Sequence, residues 1–307
     1  MRIGLMHGDD GTRTIEDQVE QIVQEEHEGF DTAWFGQIFG ADSMTIIAMA
    51  GPKTSRIEFG TAVIPTYTRH PFAMAQQART VQAATGGRFT LGVGPSHAVV
   101  VENMWGMSYD RPARHVKEYL GVLLPLVQGK AASFRGELYN VNGQISVKDA
   151  APIPVIISAL APVMLKLAGS VADGTVTWMT GPKTIATHVV PSLMAAAKEA
   201  GRSSPRVVCG LPVAVCDNPA SAKVAAAGAF VIYGGLPNYR RMLDKEGAAG
   251  PADVAVVGDE ASVERQIRDI ASAGATDFLA AAFPADADAS ASIARTRALL
   301  KSLVGKV

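Results

Sequence analysis

Two cysteines in 307 residues cannot build a disulfide framework. Cys209 and Cys216 lie seven apart in an apolar run that reads as one strand, so their side chains point to opposite faces. They are expected as two buried thiols in a reducing cytoplasm. Excess charge of one sign is also missing. The 28 Lys and Arg nearly balance 29 Asp and Glu, for a net charge of −1, and no basic block stands out. That argues against nucleic acid as a partner. No apolar run reaches the roughly 18 residues a membrane-spanning helix needs. The opening MRIGLMHGDDG has neither the apolar stretch nor the cleavage site of a secretory leader. Aromatic residues are few, at 6%, but hydrophobic residues reach 48%, ample for a large core.

The common catalytic signatures are lacking too. The six histidines, at 7, 27, 70, 97, 115 and 188, show no HxH or HxxxH spacing, so a metal hydrolase has no evident ligand set. There is no G-x-S-x-G elbow, and no apolar strand carries a lysine for Schiff-base chemistry.

What is present is an alternation of short β-branched runs with longer helical patterns. Strands are expected over 2–6, 32–35, 57–63, 89–93, 155–157, 175–178, 207–215 and 278–282. Between them fall helical stretches such as 15–28, opened by a Thr14/Asp17 capping box, and 43–50, 71–84 and 111–128. Further helices are expected over 163–172, 185–200, 263–271 and 289–304. Eight strand–helix units, with strands apolar on both faces, predict a (β/α)8 TIM barrel forming one domain over 1–307. Two insertions are expected, one at about 130–153 with a small β-hairpin before strand five, and one Gly/Pro-rich at 233–253.

Chemistry in such a barrel sits at the C-terminal strand ends. Those ends carry His7, Gln37, Thr61-Ala62-Val63, Gly94, Ser96-His97, Ser158-Ala159-Leu160-Ala161, Trp178-Met179 and Cys216. Acids, bases and nucleophiles are sparse among them. A rim of backbone, small residues and amides suits an organic cofactor that carries its own chemistry. The turn Ser158–Pro162 starts a helix, whose free N–H groups and dipole favour a phosphate; a plain βα connection is the other reading. Gly92-Val93-Gly94 allows a ring to approach the backbone, although one GxG is no dinucleotide fingerprint.

The stretch IEFGTAVIPTYTRHPFAMAQQARTVQAATGGRFTLGVGPSH (57–97), with GFDTAWFGQ, DRPARHVKEYLGVLLPLVQG, FRGELY and PIPVIISALAPVMLKLAGSVADG, resembles the luciferase-like monooxygenase superfamily. Within it, the chain is most similar to the coenzyme F420-dependent oxidoreductases. The resemblance implies a barrel fold, a small-molecule substrate, a homodimer and a non-prolyl cis peptide at Ala62-Val63. It also implies a deazaflavin ring near Gln37, Thr61, Ala62, Val63, Gly94, Ser96 and Met179, with its phosphate tail at Ser158, Ala159, Leu160 and Ala161. Relatives that transfer a hydride often have Asp-His where this chain has Gln37-Ile38, and Glu where it has His97. Those departures set it apart from the sugar-phosphate dehydrogenase reaction. His97 and His7 are the candidate catalytic residues, each either handling a substrate proton or only holding the ring or a loop. Arg13, Arg69, His70, Arg111 and Lys183 could meet an anionic tail or simply stay solvated. The expected function is hydride transfer between F420 and a small organic substrate. The alternatives are a reduced-FMN monooxygenase of a two-component system and a cofactor carrier without turnover.

Overall fold

The computed structural model describes residues 1–8 and 11–307. Strands and helices alternate as β1 (Arg2–His7), α1 (Ile15–Glu28), β2 (Thr32–Phe35), α2 (Ser43–Ala50), β3 (Glu58–Thr61) and α3 (Pro71–Ala84). They continue as β4 (Phe89–Gly94), α4 (Pro112–Val127), β5 (Val155–Ser158), α5 (Pro162–Val171), β6 (Gly174–Trp178) and α6 (Val190–Glu199). The last are β7 (Arg206–Val215), α7 (Glu260–Ser272), β8 (Asp277–Ala282) and α8 (Ala289–Leu303). The sheet order is β7-β8-β1-β2-β3-β4-β5-β6, and β6 pairs again with β7, which closes the expected (β/α)8 barrel. Among the described residues no helix is long and apolar enough to cross a membrane.

Local chemistry sets the helix starts. Asp17 N donates to Thr14 Oγ1 at 3.1 Å and Thr14 N to Asp17 Oδ2 at 3.0 Å, the reciprocal cap read from the sequence. Asp42 Oδ1 accepts from Thr45 N at 2.8 Å at the start of α2. Proline at the first position of α3 follows His70, whose Nδ1 accepts from Phe72 N at 3.2 Å.

Three expectations are corrected. The third strand does not run through 57–63: it stops at Thr61, the Ala62-Val63 peptide is cis, and Ile64–Pro65 resumes pairing with β4. The expected 185–200 helix is divided into an α turn (Pro182–Thr184), a π turn (Ile185–Val189) and α6. Pro191 has no N–H to return to the preceding turn, which favours the wider winding there. The Gly/Pro-rich 233–253 is largely helical, through Val231–Gly235 and Pro237–Glu246, and follows a further helix, Pro219–Ala229, that the sequence reading did not register. The small hairpin is present, pairing Ala132–Arg135 with Asn140–Gly143.

The chain divides into two compact units. The first comprises Met1–His7, Glu28–Trp34 and Ala159–Val307. Its interior holds Ile3, Leu5, Val208, Leu211, Phe278 and Leu300. At the N-terminal end of β8, fully buried Asp277 is bridged by Arg206 at 2.7 Å and Arg2 at 3.0 Å. The second comprises Gly8–His27 and Phe35–Ser158, with Phe59, Met74, Leu91, Val116, Leu120 and Val155 inside. Before β3, Glu26 accepts from the amides of Ser55, Arg56 and Ile57 at 2.7–2.8 Å. Burial works to raise the Glu26 carboxyl, but those N–H groups outweigh it and bring its pKa down to about 2. In both units the heavily bonded charges therefore sit at the N-terminal strand ends, where barrels place stability rather than chemistry.

Candidate functional site

In the second unit, the C-terminal ends of β3, β4 and β5 bring Thr61, Ala62, Val63, Gly94 and Ser158 together. Thr61 Oγ1 donates to Gly92 O and accepts from Gly92 N, both at 2.8 Å, so this candidate's hydroxyl is spent on joining strands. A Cβ on Gly92 would lie 1.8 Å from Thr61 O, and one on Gly94 would lie 2.2 Å from Ser158 Oγ and 2.8 Å from Val63 Cγ2. The close approach of neighbouring strands is thus by itself enough to require both glycines. The Ser158 hydroxyl is half-buried and has no hydrogen-bond partner among the described residues.

Gln37, at the end of β2, accepts from Ser43 N at 3.0 Å through Oε1. That bond fixes which way the amide points and leaves its Nε2 hydrogens without an acceptor among the described residues. Ser96 has a left-handed backbone, φ 60°, and its carbonyl accepts from Tyr109 OH at 3.0 Å. His97 follows it, half-buried, and burial lowers its pKa, so the imidazole is neutral at pH 7. Most of the candidate cations are engaged elsewhere. Arg69 pairs with Asp42, Arg111 with Asp110 at 3.2 Å and Glu137 at 3.6 Å, and Arg13 bonds Gln21 and Gly8 O. Lys183, in the first unit, is exposed.

A polar aromatic cluster beside β4 went unnoticed in the sequence. His115 stacks on Tyr67 with centroids 3.9 Å apart and planes at 9°, and Tyr67 stacks on Tyr109 at 5.6 Å. His115 Nε2 lies 2.9 Å from Thr66 Oγ1, which bonds Gly94 O at 3.3 Å. Burial pushes the His115 pKa down to about 4, against the opposing charge of Glu118. Burial also raises the Tyr109 and Tyr139 phenols to about 12. The readable signal was the spacing of His115 and Tyr119, four apart on the apolar stripe of α4.

In the first unit, the connection into α5 holds Ala159, Leu160 and Ala161. Ala159 N donates to Thr175 Oγ1 at 3.2 Å, while Met164 N and Leu165 N both return to Ala161 O at 2.9 Å. The amides of Leu160, Ala161 and Val163 have no acceptor among the described residues. Such donors at a helix start form an anion site. The loop is held by His188 in the π turn, whose Nε2 donates to Leu160 O at 2.8 Å. Met179 is fully buried with φ 53°, so its side chain is packed into the interior. His7 is buried at the end of β1. Burial raises the fully enclosed Cys209 thiol to about 12, which leaves it unreactive. No cluster of three or more metal-ligating side chains occurs among the described residues.

The luciferase-like monooxygenase family model matches residues 1–284. A 5,10-methylenetetrahydromethanopterin reductase of Methanolobus tindarius is 28% identical over 238 residues, 75% of this chain and 71% of that protein. An F420-dependent glucose-6-phosphate dehydrogenase of Nakamurella multipartita is 31% identical over 196 residues, 59% of this chain and 57% of that protein. The solved structure of a coenzyme F420-dependent tetrahydromethanopterin reductase from Methanopyrus kandleri superposes with a TM-score of 0.79 at 22% identity, covering 98% of this chain and 96% of that one.

Proposed function

The chain belongs to the luciferase-like monooxygenase family, and on that premise we propose that it is an oxidoreductase transferring a hydride between deazaflavin coenzyme F420 and a small organic substrate. The observation that carries the reading is the set of backbone amides at Leu160, Ala161 and Val163 that open a helix and have no acceptor among the described residues. Donors of that kind suit the phosphate of a cofactor tail. The oriented Nε2 of Gln37 suits an acceptor on the rim of a polar tricyclic ring, and the free hydroxyl of Ser158 suits an oxygen of the phosphate-bearing tail. The names of the F420-dependent relatives incline the choice toward deazaflavin over FMN.

When bound, the cofactor supplies a ring carbon that gives or takes the hydride. The protein's task is then to bind, orient and manage one proton. Gln37, Ala62, Val63, Gly94 and Ser96 would meet the ring, and Ser158, Ala159, Leu160 and Ala161 the phosphate-bearing tail. Buried Met179 would contribute only the shape of its backbone. His97, neutral at pH 7, can accept a substrate proton during oxidation or return one through solvent during reduction. His7 is the second candidate for that duty. A cytoplasmic homodimer is the assembly this reading favours.

Fluorescence titration with F420 and, separately, with FMN tests it. Micromolar or tighter deazaflavin binding with weaker FMN binding is expected. Tight FMN binding without deazaflavin binding would move the assignment to a two-component flavin monooxygenase. Cofactor binding with no spectral change on addition of any substrate would make the chain a carrier.

A further inference from the structure

The Tyr67 hydroxyl is buried and has no hydrogen-bond partner among the described residues. A buried donor left without a bond costs free energy, so its retention calls for a reason. Its ring is not loose. His115 stacks on it at 3.9 Å and Tyr109 at 5.6 Å, and the preceding residue Thr66 is bonded to Gly94 O through both its amide, at 2.9 Å, and its hydroxyl. Tyr67 therefore holds a fixed place two residues from the pairing segment Ile64–Pro65 and beside the end of β4.

The hydroxyl stays protonated across the physiological range, since burial and then the charges of Asp110 and Glu102 raise its pKa. Asp110 is paired with Arg111 at 3.2 Å, which leaves Glu102 as the negative charge that disfavours an anion beside the hydroxyl. Tyr109, Asp110 and Glu102 all belong to the segment 96–111, which includes the short helix Ala98–Asn103. That segment is bounded by two non-glycine residues in the left-handed region, Ser96 at φ 60° and Arg111 at φ 49°. Such conformations are held only by their surroundings and mark positions where the backbone can rotate to a more relaxed state. The bond from Tyr109 OH to Ser96 O ties the two ends of the segment together.

We propose that Tyr67 determines substrate specificity: with the segment 96–111 shifted aside, its hydroxyl donates a hydrogen bond to the oxygen of an uncharged carbonyl or alcohol substrate. The proposal rests on the oxidoreductase reading above and narrows it to neutral, oxygen-bearing substrates.

Tyr67→Phe removes the hydroxyl and keeps the stacked ring. Its melting temperature should equal or exceed that of the wild type, because an unpartnered buried donor is lost. Calorimetric titration with cyclohexanone should show binding to the wild type and about five- to tenfold weaker binding to the variant, the scale of one hydrogen bond to an uncharged acceptor. The wild type should also bind cyclohexanone at least about tenfold more tightly than cyclohexanecarboxylate. A lower melting temperature for Tyr67→Phe would show a structural hydroxyl and overturn the proposal whatever the binding. Absence of ketone binding to the wild type, equal ketone binding by both proteins, or a preference for the carboxylate would overturn it as well. Deazaflavin affinity should be the same in both proteins. Failure of the wild type to bind deazaflavin would sink the cofactor reading, a result separable from the ketone comparison.

Discussion

Replacing His115 by Gln should make the protein less sensitive to mild acid. In the wild type the ring is buried, stacked on Tyr67 and bonded to Thr66 Oγ1, and its pKa falls to about 4. An unfolded histidine titrates near 6.5. A depressed folded pKa contributes stability that is fully present above the unfolded value and is lost as pH falls toward the folded one. The window is therefore about pH 6.5 to 4. At pH 5 the unfolded chain has taken up most of a proton while the native ring has taken up little. The linkage relation then gives a loss of about 2 kcal/mol relative to neutral pH. Screening by the solvent that reaches the cluster reduces this to about 1–2 kcal/mol. Glu26 does not confuse the reading, since its contribution is lost as pH falls from its ordinary value of 4.5 toward about 2, below pH 5. His97 shifts in the same direction but is unaltered by the substitution. The Gln amide can still donate to Thr66 Oγ1, so the variant should remain folded. Urea unfolding at pH 7 and pH 5 measures both proteins. The stability lost between those pH values should be about 1–2 kcal/mol smaller for His115→Gln. Equal losses would refute the idea that this histidine is kept neutral by its burial.

Two further predictions follow from backbone geometry. Ala161 has φ −75° and ψ 149°, which proline adopts without strain, so Ala161→Pro removes one amide donor and little else. Cofactor binding should weaken by about 1–3 kcal/mol, whereas His97→Ala should keep the affinity and lower turnover about 100-fold; equal affinity losses in the two would withdraw the proton-handling role of His97. Gly92→Ala drives a Cβ to 1.8 Å from the Thr61 carbonyl, a clash no rotamer can relieve, and should cost about 3 kcal/mol in urea unfolding. Gly228→Ala, in a helix with nothing within 4 Å of the new Cβ, should instead gain about 0.5–1 kcal/mol; similar effects at both glycines would show that the strand approach is not what requires Gly92.

The fold was legible where one local rule acted alone. β2, α2 and α3 match their expected bounds because a short apolar run, an Asp42 cap and a leading Pro71 each admit one reading. The structure departs where a distant partner overrides the local pattern. Val63 continues a β-branched run, yet the cis bond before it ends β3 early, and no periodicity encodes that geometry; only the family resemblance pointed to it. The 219–246 helices escaped notice because alanine-rich turns with exposed Val224, Val231 and Ile232 carry no clear apolar stripe.

The candidate site was legible in its backbone and largely hidden in its side chains. A helix start after an apolar strand is visible in Ser158–Pro162, since proline at the first helical position leaves the neighbouring amides free. Which side chains remain available cannot be read that way. Thr61 and Gln37 both looked like ring ligands, yet Thr61 spends its hydroxyl on Gly92 while Gln37 spends only its oxygen on Ser43. The difference lies 31 residues away for one and six for the other, a matter of which strand or loop comes alongside. His115 was hidden for the same reason, sitting in a stripe that says core while Thr66, 49 residues earlier, supplies the partner that makes a polar ring tolerable there. A polar group in an apolar stripe therefore identifies a site only when its partner is known. Within this cluster the partners of Thr66, Tyr109 and His115 are in place, and Tyr67 stands apart as the member whose side-chain hydroxyl has none among the described residues.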